Sequence, residues 1–235
     1  MASPFTRKTL AFLRALKRNN DRDWFRARKA DYEAHVRGPM VAVLANLAED
    51  FPAFAPELVS EPRVSLFRIY RDTRFSADKT PLKTNAAAHF PSRRFARGQG
   101  AGLYFEITPA WVWIGGGIYM PSADDLRRIR EHVAANHRQL HRLVTSSSFR
   151  TIAGGLDGEQ LTRVPRGYLA DHPAAAYLRY KQLVAGREYP AEFALSPKFY
   201  PELLRVFRAI VPLVRFVNNA LMPSAGAPTT GRQQG

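Results

Sequence analysis

The densest group of chemically active side chains lies between Arg68 and Lys83. This segment carries five cations, two carboxylates and several serine and threonine hydroxyls. Guanidinium groups can hold phosphate or carboxylate through two parallel hydrogen bonds, and lysine adds a compact positive charge. The segment therefore predicts a binding site for a small anion, with these contact residues: Arg68, Arg71, Arg74, Ser76, Lys79 and Lys83.

The same segment also fits a structural role. Asp72 and Asp78 can pair with neighbouring cations and hold an irregular loop together, and clusters of arginine serve either purpose. Because the five cations exceed the two carboxylates, both roles can coexist. If the site is catalytic, Asp72, Asp78 and His89 are the candidates for proton transfer, but no spacing in the sequence identifies a reaction.

The order of residues in this segment is similar to a family signature. Residues 71–83 have the sequence RDTRFSADKTPLK, which resembles the pattern R-D-x-R-F-S-x-D-K-x-P-Y-K of the domain of unknown function 2461 family. The resemblance extends over most of residues 4–222 and includes NNDRDWF at 19–25 and LSP at 195–197. Leu82 departs from the pattern, which has tyrosine there. The resemblance implies an α+β fold and brings no established activity with it.

Three further motifs have weaker functional implications. The glycine-rich stretch 98–102 leads into a predicted strand and not into a helix, so it predicts a flexible loop more than a phosphate-binding loop. The three glycines at 115–117 interrupt an aromatic strand, which favours a bend and leaves a ligand floor as the alternative. His137 and His141 share a helix face without a partner carboxylate, so neither a metal site nor a cofactor is predicted.

Strands are the elements that must position these residues. Side chains that are β-branched or aromatic predict strands at 64–70, 103–108 and 111–119, with a weaker candidate at 85–90. The short Pro109-Ala110 turn makes the second and third of these an antiparallel hairpin.

Apolar periodicity predicts helices on both sides of the strands in the sequence. The predicted helices are 6–18, a second from Asp21 that ends at Gly38-Pro39, a third that ends at Phe51-Pro52, one from Ser122 to Val144, a short one near 174–183, and a last one from Ser196-Pro197 that bends at Pro212. The predicted fold class is α+β, a mainly antiparallel sheet with helices from both termini packed against it. Residues 1–222 are predicted to form a single domain, followed by a disordered tail at 223–235 that lacks large apolar side chains.

Composition narrows the chemistry further. The 235-residue chain contains no cysteine, which excludes disulfides, thiolate nucleophiles and cysteine-ligated metal centres. No signal peptide or membrane segment is expected, because the longest uncharged run, 107–123, is short and contains two prolines and three glycines. We expect a cytoplasmic protein without membrane partners.

Three classes of function remain open. The protein binds a small phosphorylated or carboxylated ligand, or it is an enzyme acting on such a ligand, or its net charge of +15 gives weak, nonspecific binding to nucleic acid. The third class would use the following residues: Arg63, Arg93, Arg94 and Arg97 for charge, and Phe90 and Phe95 for stacking. A concave pocket would favour the first two classes, whereas a flat basic surface with exposed aromatic rings would favour the third. The sequence does not determine the oligomeric state.

Overall fold

The centre of the fold is a four-stranded antiparallel sheet. The computed structural model describes residues 2–74, 76–96 and 98–222. The strands are β1 (Ala86–Pro91), β2 (Gly102–Ile107), β3 (Trp111–Ile118) and β4 (Leu183–Pro190), and they lie in the order β1-β2-β3-β4. The hairpin predicted between 103–108 and 111–119 is therefore present as β2 and β3.

The pleat of the sheet separates its two faces. In β2, Leu103, Phe105 and Ile107 are fully buried, whereas the alternating Tyr104 and Glu106 are only partly buried. Side chains of successive strand residues point to opposite faces, so one face of the sheet packs on the core. The other, which we call the outer face, carries Tyr104 and Glu106.

The other regular elements are helices. They are α1 (Arg7–Arg18), α2 (Arg22–Ala27), α3 (Lys29–Tyr32), a π-helix (Glu33–Arg37), α4 (Gly38–Phe54), α5 (Pro62–Ser65), α6 (Ala123–Ala135), α7 (His137–Thr145), α8 (Ser147–Ala153), α9 (Ala175–Leu178), a 3₁₀ helix (Ala191–Leu195) and α10 (Phe199–Leu221). In the described ranges, no helix is both long and apolar enough to cross a membrane.

The core lies between the inner face of the sheet and helices from both ends of the chain. Phe51 of α4 lies with its ring centroid 5.3 Å from that of Phe90 in β1 and 6.5 Å from that of Phe207 in α10. A side chain at Gly116 would approach Ile210 of α10 within 3.1 Å, so this glycine lets the long helix lie close to β3. The predicted α+β class, with terminal helices packed on an antiparallel sheet, is confirmed.

The strand predicted at 64–70 is wrong. Pro62 begins the one-turn helix α5, which occupies residues 62–65, and the Ser65 hydroxyl secures it by accepting from the Glu61 amide at 3.2 Å. Only single β-bridges remain, Leu66 with Ala88 and Tyr70 with Leu82. The weaker candidate at 85–90 instead forms β1 and pairs with β2.

Strand β4 was missed, and its composition explains why. Its sequence LVAGREYP contains a glycine, two charged residues and a proline, all of which weaken a local strand signal. The strand exists because it pairs with β3 along its whole length, from Ile118 with Leu183 to Trp111 with Pro190.

Two predicted helix boundaries are also wrong. The chain stays helical through Gly38-Pro39, because the π-helix carries it into α4 and the missing side chain of Gly38 leaves room for the Glu33 carbonyl, 2.9 Å from where a Cβ would lie. The helix predicted from Ser122 to Val144 is split at Asn136, whose side-chain amide donates to the His132 carbonyl at 3.0 Å. Residues 174–183 hold the short helix α9, and Leu183 already belongs to β4. Helix α10 begins at Phe199, and Pro212 lies inside it.

Candidate functional site

The outer face of the sheet holds a pocket of about 730 Å³. Five aromatic side chains contribute to its lining: Phe67, Tyr104, Trp111, Trp113 and Tyr119. Four polar side chains also line it: His89, Glu106, Asp157 and Gln182. A concave site with a largely aromatic wall and a few polar groups is the usual form of a small-molecule site.

The floor of the pocket is an indole ring lying on glycines. A Cβ added to Gly115 would lie 2.6 Å from the Trp113 ring, and one added to Gly186 would lie 2.4 Å from it. The two glycines are paired across β3 and β4, so their bare backbone accommodates the indole. Gly117 has φ +128°, and a Cβ there would lie 2.1 Å from the Leu183 carbonyl oxygen. The three-glycine stretch therefore serves strand pairing and the seating of Trp113.

The rings beside Trp113 form a continuous aromatic wall. The centroid of Tyr104, on the adjacent strand β2, lies 6.0 Å from that of Trp113, and the Phe67 centroid lies 6.1 Å from that of Tyr104. These spacings are typical of edge-to-face and tilted aromatic pairs. The wall thus runs from the middle of the sheet to Phe67, which directly precedes the cationic loop of residues 68–83.

Glu106 is the half-buried acid of the pocket. Its carboxylate accepts a hydrogen bond from the side-chain amide of Asn85, and the Tyr104 hydroxyl donates to it as well. Burial raises the pKa of Glu106, and these two hydrogen bonds act in the opposite direction. Burial and the neighbouring Glu106 together raise the pKa of Tyr104, which keeps that phenol protonated.

His89 is the predicted proton-transfer candidate that does face the pocket. It lies opposite Tyr104 in the β1–β2 pairing, and its Nε2 would be 2.4 Å from a Cβ at Gly102. Burial lowers the pKa of His89, so the imidazole is neutral at neutral pH. No hydrogen bond to this ring occurs within the described chain, which leaves its nitrogen atoms available to a ligand.

The two aspartates of the cationic loop are ion-paired. Asp78 accepts from Arg71, and this hydrogen bond lowers the pKa of Asp78 to about 2. Asp72 pairs with Arg74 at 2.8 Å, which lowers its pKa to about 2 as well. Both carboxylates are thus anionic at neutral pH and hold the loop in shape, as the structural role requires; proton transfer by them stays a prediction.

The six predicted anion contacts do not form one group. Lys79 donates to the Thr73 carbonyl at 3.0 Å, and Ser76 lies 3.5 Å from Arg71. Lys83 differs, since its ammonium group lies 4.5 Å from the centroid of Phe67. Burial lowers the pKa of Lys83, and the nearby charges of Arg68 and Arg71 lower it further.

Arg68, Arg71 and Lys83 therefore form a local cationic cluster at the edge of the aromatic wall. Among residues 2–74, 76–96 and 98–222, no carboxylate forms an ion pair with Arg68 or Lys83, whereas Arg71 pairs with Asp78. We call these three residues the cationic cluster. Its position beside Phe67 joins the predicted loop to a pocket that the sequence did not predict.

The Asn20 side chain ties the loop to the N-terminal helices through two hydrogen bonds. The Asn20 amide donates to the Leu82 carbonyl at 2.9 Å, and its oxygen accepts from the Leu82 amide at 3.0 Å. Backbone hydrogen bonds from Arg71 to Pro81 and from Lys83 to Ile69 close the base of the loop. Asn20 thereby fixes the segment that carries Lys83.

The family comparison covers the same elements. A family model described as conserved hypothetical protein (DUF2461) matches residues 8–216, which include the loop, the sheet and most of α10. The chain belongs to the DUF2461 family. No curated protein sequence matches it.

The sequence did not predict three pocket residues of this DUF2461 chain, Tyr104, Glu106 and Trp113, nor Asn85, which donates a hydrogen bond to Glu106. A signal did exist for two of them, because Tyr104 and Glu106 alternate with apolar residues in β2 and so had to lie on the outer face. Nothing local could show that this face stays open. Gly98 and Gly100, both with positive φ, also border the pocket, so the glycine-rich stretch contributes to the site.

Other predicted residues of this DUF2461 chain lie elsewhere. Phe90 and Phe95 were predicted to be available for stacking on nucleic-acid bases. The prediction is wrong for Phe90, which is fully buried, and Phe95 is partly buried against the core. His141 contacts the Tyr177 hydroxyl at 2.7 Å, and no group of three metal-ligating side chains occurs in the part of the chain that the structure describes. The predictions for Arg97 and the tail at 223–235 lie outside the described residues.

Proposed function

We propose that this protein binds a small phosphorylated or carboxylated ligand in the outer-face pocket. The anionic group of the ligand contacts the cationic cluster, and its body packs on Trp113 and Tyr104. The observation that supports this proposal is the position of Arg68 and Lys83 beside an aromatic pocket, since neither forms an ion pair with a carboxylate of the described residues.

The electrostatics of the cluster favour an anion. The lowered pKa of Lys83 reflects burial next to two guanidinium groups, so its positive charge is poorly compensated. An anion bound there would relieve this repulsion and would accept charge-assisted hydrogen bonds, which are about twice as strong as neutral ones.

The shape of the site favours a small ligand over a polymer. Its volume of about 730 Å³ lies within the range of roughly 300 to 1,000 Å³ that is usual for small-molecule sites. Glu106 and His89 supply hydrogen-bonding groups inside the pocket, away from the cationic cluster. This separation suits a ligand with an anionic end and a polar or ring-shaped body.

A second candidate function is an enzyme that acts on such a ligand. Glu106 and His89 are partly buried, line one pocket and flank Tyr104 in the strand register. Burial raises the pKa of Glu106 towards the neutral range, and it lowers that of His89, which keeps the imidazole in the neutral form that can accept a proton. Asp72 and Asp78 are weaker candidates for this role, since both are held as ion-paired carboxylates.

Ligand titration tests the proposal. Two of the three tryptophans, Trp111 and Trp113, line the pocket, so tryptophan fluorescence is a suitable signal. We expect saturable binding of at least one member of a panel of phosphate esters and carboxylates at low salt. Lys83→Ala should weaken that binding by about 1.5 to 3 kcal/mol, the value of a hydrogen bond to a charged group.

The matched control is Lys198→Ala, an exposed lysine ahead of α10 that should leave affinity unchanged. If no panel member saturates the wild-type protein at low salt, the proposed function is wrong. An equal loss of affinity in both variants would mean that only net charge matters.

A further inference from the structure

We propose that the ligand is a nucleotide with a guanine-type base, which stacks on Trp113 and donates hydrogen bonds to Glu106 and Asn85 while its phosphate contacts the cationic cluster. This inference rests on the proposed function of the pocket and names its ligand class.

The first argument is the stacking surface. The Trp113 indole lies against Gly115 and Gly186, neither of which has a side chain that could cover the ring. The ring also lines the pocket, with Tyr104 tilted at 53° beside it. A planar heterocycle can therefore lie on the indole with Tyr104 at its edge, and stacking of this kind is tolerant of the base that is stacked.

The second argument is the hydrogen-bonding pattern beside that surface. Glu106 is opposite Trp113 in the register of β2 and β3, and Asn85 donates its amide hydrogen to the Glu106 carboxylate. An ionised carboxylate offers about four acceptor positions, of which Asn85 and Tyr104 use two. Within the described chain the Asn85 side-chain oxygen accepts no hydrogen bond, so it adds a further acceptor.

This group of acceptors has a chemical complement. The Watson–Crick edge of guanine presents two adjacent donors, the ring N1–H and the exocyclic amino group, whereas that of adenine presents one donor beside an acceptor. A partly buried site whose polar groups need donors rejects analogues that lack them, since those polar groups are then left unpaired. The pocket should therefore prefer guanine over adenine.

The third argument is the position of the cations. Phe67 contacts both Tyr104 and the ammonium group of Lys83, so the cationic cluster lies one aromatic ring beyond Tyr104. A base on Trp113 and a phosphate at Lys83 are thus placed at two ends of one wall. The ribose between them would lie along Tyr104 and Phe67.

The test measures the affinity of the wild-type protein for GMP, AMP, guanosine and ribose 5-phosphate by tryptophan fluorescence. GMP should bind at least tenfold more tightly than each of the other three. Ribose 5-phosphate binding as tightly as GMP would overturn the nucleotide inference while leaving the proposed anion binding intact. Equal affinity for GMP and AMP would overturn recognition of guanine, and the absence of binding by all four compounds would overturn the inference.

A variant pair tests the residue assignment. Glu106→Gln replaces one acceptor oxygen of the carboxylate by an amide NH₂ donor. It should reduce GMP affinity at least tenfold while changing AMP affinity less than threefold. Glu188→Gln is the matched control, since Glu188 pairs with Trp113 from the opposite strand, is exposed and does not line the pocket. Thermal unfolding of each variant checks its fold; if Glu106→Gln is unfolded, the wild-type affinities alone decide. Equal effects of the two exchanges on GMP would contradict the assignment.

Discussion

At the scale of single residues, burial acts on the titratable groups of the pocket in one consistent way. It raises the pKa of Glu106 and lowers that of His89, and so favours the neutral form of each. The loop aspartates behave in the opposite way, because their guanidinium partners keep them ionised. The outer-face pocket and the loop therefore have different electrostatic roles: the loop fixes charge in place, and the pocket supplies groups that can gain or lose a proton.

His132 provides a residue-scale test of this effect away from the pocket. Its Nε2 is buried without a hydrogen-bond partner in the described ranges, and its ring lies 4.6 Å from that of Phe216. Burial lowers the pKa of His132 in the folded state. The unfolded chain therefore binds the proton more readily, so stability contributed by neutral His132 is lost as the pH falls below the unfolded value of about 6.5.

We expect His132→Leu to reduce this loss of stability between pH 8 and pH 5, with His89 accounting for part of what remains. At pH 8 the variant should lie within about 1 kcal/mol of the wild type, because the leucine removes an unpaired polar atom. Urea unfolding at the two pH values measures both quantities. The exposed His141, exchanged for leucine, is the control; if it changes the pH dependence as much as His132→Leu does, burial of His132 is not the cause.

At the scale of elements, the position of the cationic loop depends on a contact with the connection between helices α1 and α2. Asn20 lies in the short connection between α1 and α2 and makes both of its hydrogen bonds to the backbone of Leu82. Leu82 is itself buried, so its side chain and backbone are fixed together. A side chain in one connection thus holds the position of the loop that carries Lys83.

Replacement of this anchor should affect both stability and binding. We expect Asn20→Ala to lower the free energy of unfolding by about 1 to 3 kcal/mol, since it leaves two partly buried backbone groups unpaired. It should also weaken binding of the ligand that Lys83 contacts. Asn19→Ala is the matched control, because that side chain donates only to the exposed end of α1, at the Ala15 carbonyl.

Chemical denaturation of the two variants, combined with the fluorescence titration, separates these effects. If Asn20→Ala is as stable as Asn19→Ala, the contact with Leu82 does not hold the loop. Loss of stability with unchanged affinity would mean that the cationic cluster keeps its position without the anchor.

At the scale of the whole molecule, one face of the sheet is covered by helices and the other forms the pocket. Arginines that form ion pairs on the helices do not line that pocket. Arg127 pairs with Asp124 and Glu131, Arg205 pairs with Glu202, and Arg215 pairs with Glu57. These three arginines are locally paired with carboxylates and so add little to a continuous nucleic-acid surface.

We therefore expect only weak and nonspecific binding to nucleic acid. Scattered cations release counterions on contact with a polyanion, so affinity for mixed-sequence oligonucleotides should fall by roughly tenfold or more between 50 and 200 mM salt. Titrations against single-stranded and double-stranded oligonucleotides at these two salt concentrations measure the effect. Tight, sequence-dependent binding that persists at 200 mM salt would show that nucleic acid is a specific partner.

The sequence by itself determined the features that arise from local patterns. Enrichment in β-branched and aromatic residues predicted β2 and β3, apolar periodicity predicted α1 and the long α10, and the density of charge marked the loop of Arg71 and Lys83. These features depend on neighbours within a few residues, so they can be recognised without knowledge of the fold. The same locality explains the errors: the segment 64–70 has strand-like composition, but Pro62 starts a helical turn and β1 takes the place beside β2.

The tertiary structure alone decided the site. Gly186 comes from β4, whose sequence gives little strand signal, yet it completes the surface on which Trp113 lies. Glu106 meets Asn85 only because β1 and β2 pair, and Lys83 reaches the aromatic wall only because Phe67 lies beside Tyr104. Such contacts join residues that are far apart in the chain, and their formation depends on strand pairing and on which face of the sheet the helices cover. Spacing along the sequence carries no information about either, and for that reason the pocket could be recognised only in the folded molecule.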